Sequence, residues 1–117
     1  MNEKALSLLG MARRAGRLSC GHDAAVEAIV KNRACLCLCS ADASERLERE
    51  LRHACTFEQK QIPFARLCVP MAALSKAIGT KAAVITVNDP GFAARLQTLL
   101  AQEPPTGKEE DYAESEI

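Results

Sequence analysis

The stretch Ala34-Cys35-Leu36-Cys37-Leu38-Cys39-Ser40, running into Ala41-Asp42-Ala43-Ser44, decides the fold class. It is short and almost wholly apolar, the pattern of a central strand covered on both faces. Asp42 then offers a helix cap, with Glu45 three residues on as its capping-box partner. The helix that follows runs to about Gln59 and buries Leu47, Leu51, Ala54 and Cys55. Its other face carries Glu45–Arg49 and Glu48–Arg52 pairs at i, i+4, an ordinary solvated surface.

Toward the N-terminus, Leu6, Leu9, Ala12 and Ala15 recur at helical spacing, and Gly16 follows them as a helix-ending residue, with Arg13 and Arg14 in the last turn. Arg17 to Cys20 reads as a short extended piece leading to Gly21. Asp23 to Asn32 is a second helix, with Ala25, Val26 and Ile29 on one stripe. Toward the C-terminus, Phe64 to Val69 is a strand after the Ile62-Pro63 break. Met71 to Ile78 is a short helix ended by Gly79, and Ala82 to Val87 another buried strand. Asp89 as N-cap and Pro90 at the first helical position open a last helix carrying Phe92, Leu96, Leu99 and Leu100. This alternation predicts an α/β sandwich with helices on both faces of a sheet.

The 117 residues suffice for one domain with one ordinary core, assigned to residues 1–102. The formal net charge is zero, which at face value speaks against a nucleic-acid binder. Location reverses that. Residues 103–117 hold six acidic side chains and one basic one, a net of −5, and residues 1–102 therefore carry +5. The acidic tail, opened by Pro104-Pro105-Thr106-Gly107, is expected to be disordered. No apolar run approaches the roughly 20 residues of a membrane helix. Met1 to Ala15 is amphipathic, without the uninterrupted core of a signal peptide, so a cytoplasmic protein with reduced thiols is expected.

Cys35, Cys37 and Cys39 share one face of their strand, but neighbours at that spacing stand about 7 Å apart. A disulfide or a tetrahedral zinc site needs them far closer. They read as small buried hydrophobes. Cys20-Gly21-His22 and His53-Ala54-Cys55 lack metal-ligand spacing, and no glycine-rich nucleotide loop is present, so neither metal nor cofactor is expected. The segment Arg13 to Asp23 differs in kind. A basic stretch runs into Gly21 and a helix start, where free amides and the positive dipole end suit phosphate or an electronegative base edge. Asp23 is either an N-terminal capping charge or an acceptor for a guanine edge, and Lys31 could reach a phosphate from the same helix.

Taken with Leu9 to Leu18, Gly21-His22-Asp23, Ala34 to Ser44, Leu74-Ser75-Lys76-Ala77-Ile78-Gly79 and Asn88-Asp89-Pro90-Gly91-Phe92-Ala93, the chain resembles the L7Ae family of kink-turn RNA-binding ribosomal proteins, in its small bacterial branch. The resemblance spans about residues 5–100. It implies a three-layer α/β/α sandwich with a four-stranded mixed sheet. It also implies binding to a sharply bent RNA duplex beside tandem G·A pairs, without catalysis or cofactor, by a ribosome-associated protein; when free, a monomer is expected. The family's RNA-facing helix opens with glycine, a variable residue, asparagine and glutamate, then lysine three further on. Here those positions are Gly21, His22, Asp23, Ala24 and Glu27, so the glutamate is missing and the lysine is reversed in charge. Lys31 and Lys76 match basic positions, while Ser75 stands for a usual glycine. The resemblance implies that the loop Asn88 to Phe92, with Asp89, Pro90 and Gly91, lies beside the RNA. Phosphate contacts fall to Arg13, Arg14, Arg17 and Lys31, and selectivity to Gly21, His22 and Asp23. A protein-interaction module on the same fold, with RNA binding weakened or lost, is the alternative that Ala24 and Glu27 allow. A cysteine-based redox or metal protein is the third reading.

Overall fold

The computed structural model describes residues 3–102. The expectations for the acidic tail therefore lie outside the described residues. Helix α1 (Glu3–Arg14) leads through β1 (Leu18–Cys20) to α2 (His22–Val30), β2 (Leu36–Cys39) and α3 (Glu45–Thr56). A short 3-10 turn, Phe57–Gln59, precedes β3 (Phe64–Arg66), α4 (Met71–Ile78), β4 (Val84–Val87) and α5 (Pro90–Ala101). The four strands form one sheet in the order β1-β4-β2-β3. β2 and β3 are parallel, and β4 is antiparallel to both its neighbours, β1 and β2. The mixed sheet and the alternating layers are those expected from the sequence. Among the described residues no helix is long and apolar enough to cross a membrane.

β2 is buried along its whole length, as an uninterrupted apolar run requires. Leu36 and Leu38 face a core cluster built with Leu8, Leu9, Leu74, Ile85 and Leu96, drawn from α1, α4, β4 and α5. Cys37 faces the opposite cluster, with Ala25, Ile29, Leu51 and Cys55 from α2 and α3. Cys37 and Cys39 are thus small core residues. A hydrogen bond shared with the Cys55 thiol, added to burial, pushes the Cys37 thiol up.

The helix ends follow local chemistry with one reassignment. α1 closes on Gly16 at φ 73°, where Arg17 N–H returns to the Ala12 carbonyl and Gly16 N–H to that of Arg13. α3 is capped by Ser44, whose hydroxyl accepts from Leu47 N–H at 3.1 Å, and not by Asp42. Asp42 instead accepts from the Ser40 hydroxyl at 2.7 Å and from Met71 N–H at 2.9 Å, so it satisfies the first amide of α4. These bonds hold its carboxyl below the usual carboxylate range. Ser44 and Asp42 are two residues apart, and it is the fold, by bringing Met71 to Asp42, that separates their roles.

At α5 the expected cap is present. Asp89 accepts from Phe92 N–H at 2.9 Å, with Pro90 at the first helical position. A Cβ on Gly91 would stand 3.1 Å from the Asp89 carboxylate, so Gly91 leaves room for that cap. Asp89→Ala is expected to destabilise the domain by about 1 kcal/mol, with Asp89→Asn nearly neutral, by urea unfolding. Equal losses in both variants would show that the cap is not the cause.

Arg66, at the end of β3, organises the β2–α3 connection. Its Nη1 donates to the carbonyls of Ala41 and Ala43 at 2.8 and 2.9 Å and to that of Ser40 at 3.3 Å. Its Nε and Nη2 both meet Glu48 Oε1, at 2.7 and 2.5 Å. Glu48 is shared with Arg52, whose Nε lies 2.7 Å from Oε2. The two guanidinium groups, Arg52 first, hold the Glu48 carboxyl low.

Candidate nucleic-acid interface

The candidate site begins at a backbone conformation. Gly21 sits at φ 97°, ψ 164°, a region essentially closed to other residues. From there its N–H donates to the Val84 carbonyl of β4 at 2.8 Å, and its own carbonyl accepts from Ala25 N–H at 2.9 Å. The turn therefore pins the start of α2 to the first residue of β4, an inner strand of the sheet. Gly21 has no side chain with which to cap α2, so the first-turn amides of His22, Asp23 and Ala24 emerge without a side-chain acceptor from the N-cap. With the positive end of the helix dipole behind them, they form an anion-receptive surface.

Three chain segments meet at this end of the sheet. Gly21 bonds Val84 at the start of β4. Ser40, just past β2, donates from its N–H to the Ala83 carbonyl at 2.8 Å. The α4–β4 loop, residues 79–83, supplies that carbonyl and is tied back to α4 where Ala82 N–H donates to the Ser75 hydroxyl at 3.0 Å. Lys81 lies in this loop and was not singled out from the sequence. The signal that finds it is the antiparallel pairing of β1 with β4, which sets Cys20 opposite Ile85 and so brings residues before β4 beside Gly21.

The side chains at the start of α2 are mixed in sign. Asp23 is fully exposed. The His22 ring lies between two carboxylates, with Nδ1 3.2 Å from Asp23 Oδ1 and Nε2 3.4 Å from Glu50 Oε1 of α3. Glu50 also meets Arg46 at 3.8 Å. One turn along α2, Glu27 pairs with Lys31 Nζ at 3.1 Å and with Arg33 at 3.7 Å. The Lys31 hydrogen bond and charge hold the Glu27 carboxyl low. Lys31, expected as a phosphate contact, is thus engaged by Glu27.

The other expected residues divide between two places. Arg13, in the last turn of α1, lies beside Cys20 and pulls its thiol down against a larger upward push from burial. That sets Arg13 against the strand that ends just before Gly21. Arg14 lines a groove with Gly10 and Ala77 between α1 and α4, and Lys76 lies in the last turn of α4. Arg17 is at the far end of β1, where its carbonyl accepts from Asn88 N–H at 2.8 Å. Asp89, Pro90 and Gly91 follow the C-terminal end of β4, opposite Gly21, and all three serve the cap of α5.

The fold and this site define a class: a small α/β/α binding domain that presents a helix start, framed by two loops, to its ligand. The chain belongs to the Ribosomal protein L7Ae/L30e/S12e/Gadd45 family, whose profile matches residues 3–97. It is 34% identical over 94 residues to the RNA-binding protein YlxQ of Bacillus subtilis (strain 168), covering 80% of this chain and 91% of that protein. The YlxQ RNA-binding protein of Enterococcus faecium is 28% identical over 98 residues, covering 84% and 92%. Among solved structures, a Bacillus halodurans protein of unknown function superposes with a TM-score of 0.79 at 33% identity, covering 86% of this chain and all of that one. A Giardia lamblia 15.5kD RNA binding protein shares the fold at a TM-score of 0.65 and 20% identity, over 86% and 91% of the two chains.

Proposed function

We propose that this protein binds structured RNA of the kink-turn type through the start of α2. The observation that carries the reading is the Gly21 turn, which bares first-turn amides beside an acceptor-only carboxylate at Asp23. Amides suit a phosphate, and the Asp23 carboxylate suits the donor edge of a guanine exposed by a sheared G·A pair. Membership of the family and relatives that bear the name RNA-binding protein support it. Arg13, Arg14, Lys76 and Lys81 are the cations we assign to flanking phosphates, and Arg17 to the margin of the contact. Binding of this kind needs no catalytic group or cofactor. Association with ribosomal RNA in the cytoplasm belongs to the same proposal.

The test is a gel shift at low salt with a kink-turn duplex and with a control duplex in which the tandem G·A pairs are replaced by Watson–Crick pairs. Selective retention of the kinked RNA supports the reading. Equal retention of both, or of neither, by correctly folded protein rejects it.

Glu27 sets the strength of the interaction. Glu27→Lys removes an anion, adds a cation and releases Lys31 and Arg33 together. RNA affinity at low salt is expected to rise on the order of tenfold, with a salt dependence steeper by about one to two phosphate contacts. An unchanged slope would place this face of α2 away from the RNA. The alternative, a protein-interaction module, draws on the same pairing, because Glu27 neutralises the two cations that the helix would otherwise offer.

A further inference from the structure

We propose that RNA binding at this face is coupled to proton uptake by His22. This rests on the RNA reading above and adds to it a regulated property of the same site. The imidazole lies between Asp23 and Glu50, its two nitrogens 3.2 and 3.4 Å from one oxygen of each. A carboxylate can only accept, and a neutral imidazole donates from one nitrogen alone. The neutral ring therefore leaves one carboxylate facing a nitrogen lone pair. The imidazolium attracts both at once, Asp23 by a hydrogen bond and Glu50 by charge.

Charged groups flank the ring. On α2 they are Asp23 and, one turn on, Glu27, which is occupied by Lys31 and Arg33. On α3 they are Glu50 and its partner Arg46. On the β1 side, Cys20 lies with Arg13. A phosphate docking on the bared amides of α2 meets the Asp23 and Glu50 carboxylates at close range. Protonating His22 cancels one negative charge and bridges the pair. Phosphate and proton therefore each favour the other's binding, and linkage requires that RNA binding take up protons. Affinity therefore rises as the pH falls.

Calorimetry of the full chain with a kink-turn duplex, at about pH 6 and about pH 8 and in buffers of different ionisation enthalpy, tests this. The expected result is binding tighter at the lower pH on the order of fivefold, the size of one exposed charge interaction. Net proton uptake accompanies it. Both effects disappear in His22→Gln and shrink in Glu50→Gln, with each variant's fold checked by its thermal midpoint. A wild-type affinity independent of pH, or a pH dependence retained in His22→Gln, overturns the proposal while leaving RNA binding intact. Absence of binding at either pH overturns the RNA reading, and this one with it.

Discussion

Replacing Arg66 with alanine is expected to cost about 2–3 kcal/mol of stability, mostly from hydrogen bonds made by a charged group. One guanidinium holds the carbonyls of Ser40, Ala41 and Ala43 and the carboxylate of Glu48. Without it, the β2–α3 connection loses all three of these carbonyl bonds to β3, and Glu48 is left to Arg52. The group is about a third exposed, which is why the expected loss lies below that of a sealed ion pair. Arg66→Lys should recover little, since an ammonium cannot reproduce a fork that reaches several acceptors in fixed directions. Urea unfolding checks both variants. A lysine variant as stable as the parent would show that charge, not geometry, holds the connection. Because Ser40 also bonds Ala83 in the loop beside Gly21, the alanine variant is further expected to bind RNA more weakly at temperatures where it remains folded.

Gly21→Ala is expected to have the largest effect on RNA binding. No atom lies within 4 Å of the Cβ that alanine would add, so the cost is one of backbone conformation alone. At φ 97° and ψ 164° that cost is about 1–3 kcal/mol. The chain can escape it only by rotating out of this conformation. Doing so gives up the Gly21 bond to Val84 and re-aims the first turn of α2. RNA affinity is then expected to fall by about tenfold or more, roughly the factor that 1.4 kcal/mol represents. A D-alanine introduced at the same position by chemical ligation favours positive φ and should restore most of the loss. If L-alanine and D-alanine bind RNA equally, the turn does not set the site.

Much of this architecture was legible before any coordinates. Ala34 to Ser40 announced a strand covered on both sides because nothing polar interrupts it, and β2 is buried throughout. Asp89-Pro90 announced the start of α5 because a cap and a preformed φ coincide there. Asp42 was misplaced because capping chemistry names a type of side chain and not its target, which proved to be Met71, twenty-nine residues away. α3 also stops earlier than its apolar spacing suggests. Glu58 and Gln59 take positive φ after it, a choice that neither residue type signals.

The site was less legible than the fold. Gly21, His22 and Asp23 fall where a helix start meets a strand end, and that can be read locally. Which other loops stand beside them depends on strand direction. β4 runs antiparallel to β1, so the loop before β4 reaches Gly21 and the loop after it does not. That single fact brings the loop that holds Lys81 to the Gly21 end of the sheet and carries Asp89, Pro90 and Gly91 to the far end. The engagement of Lys31 by Glu27 follows from i, i+4 spacing, whereas the contact of His22 with Glu50 spans two helices and has no local signature.

The anchoring of Gly21 on Val84 bears on how the molecule comes apart. β4 is hydrogen-bonded on both sides, to β1 and to β2, and its residues are buried from end to end. Such strands open last, whereas terminal helices breathe by partial, sub-global opening. The Gly21 turn is therefore fastened to a strand expected to exchange slowly, and excursions of α5 are expected to come and go without undoing it.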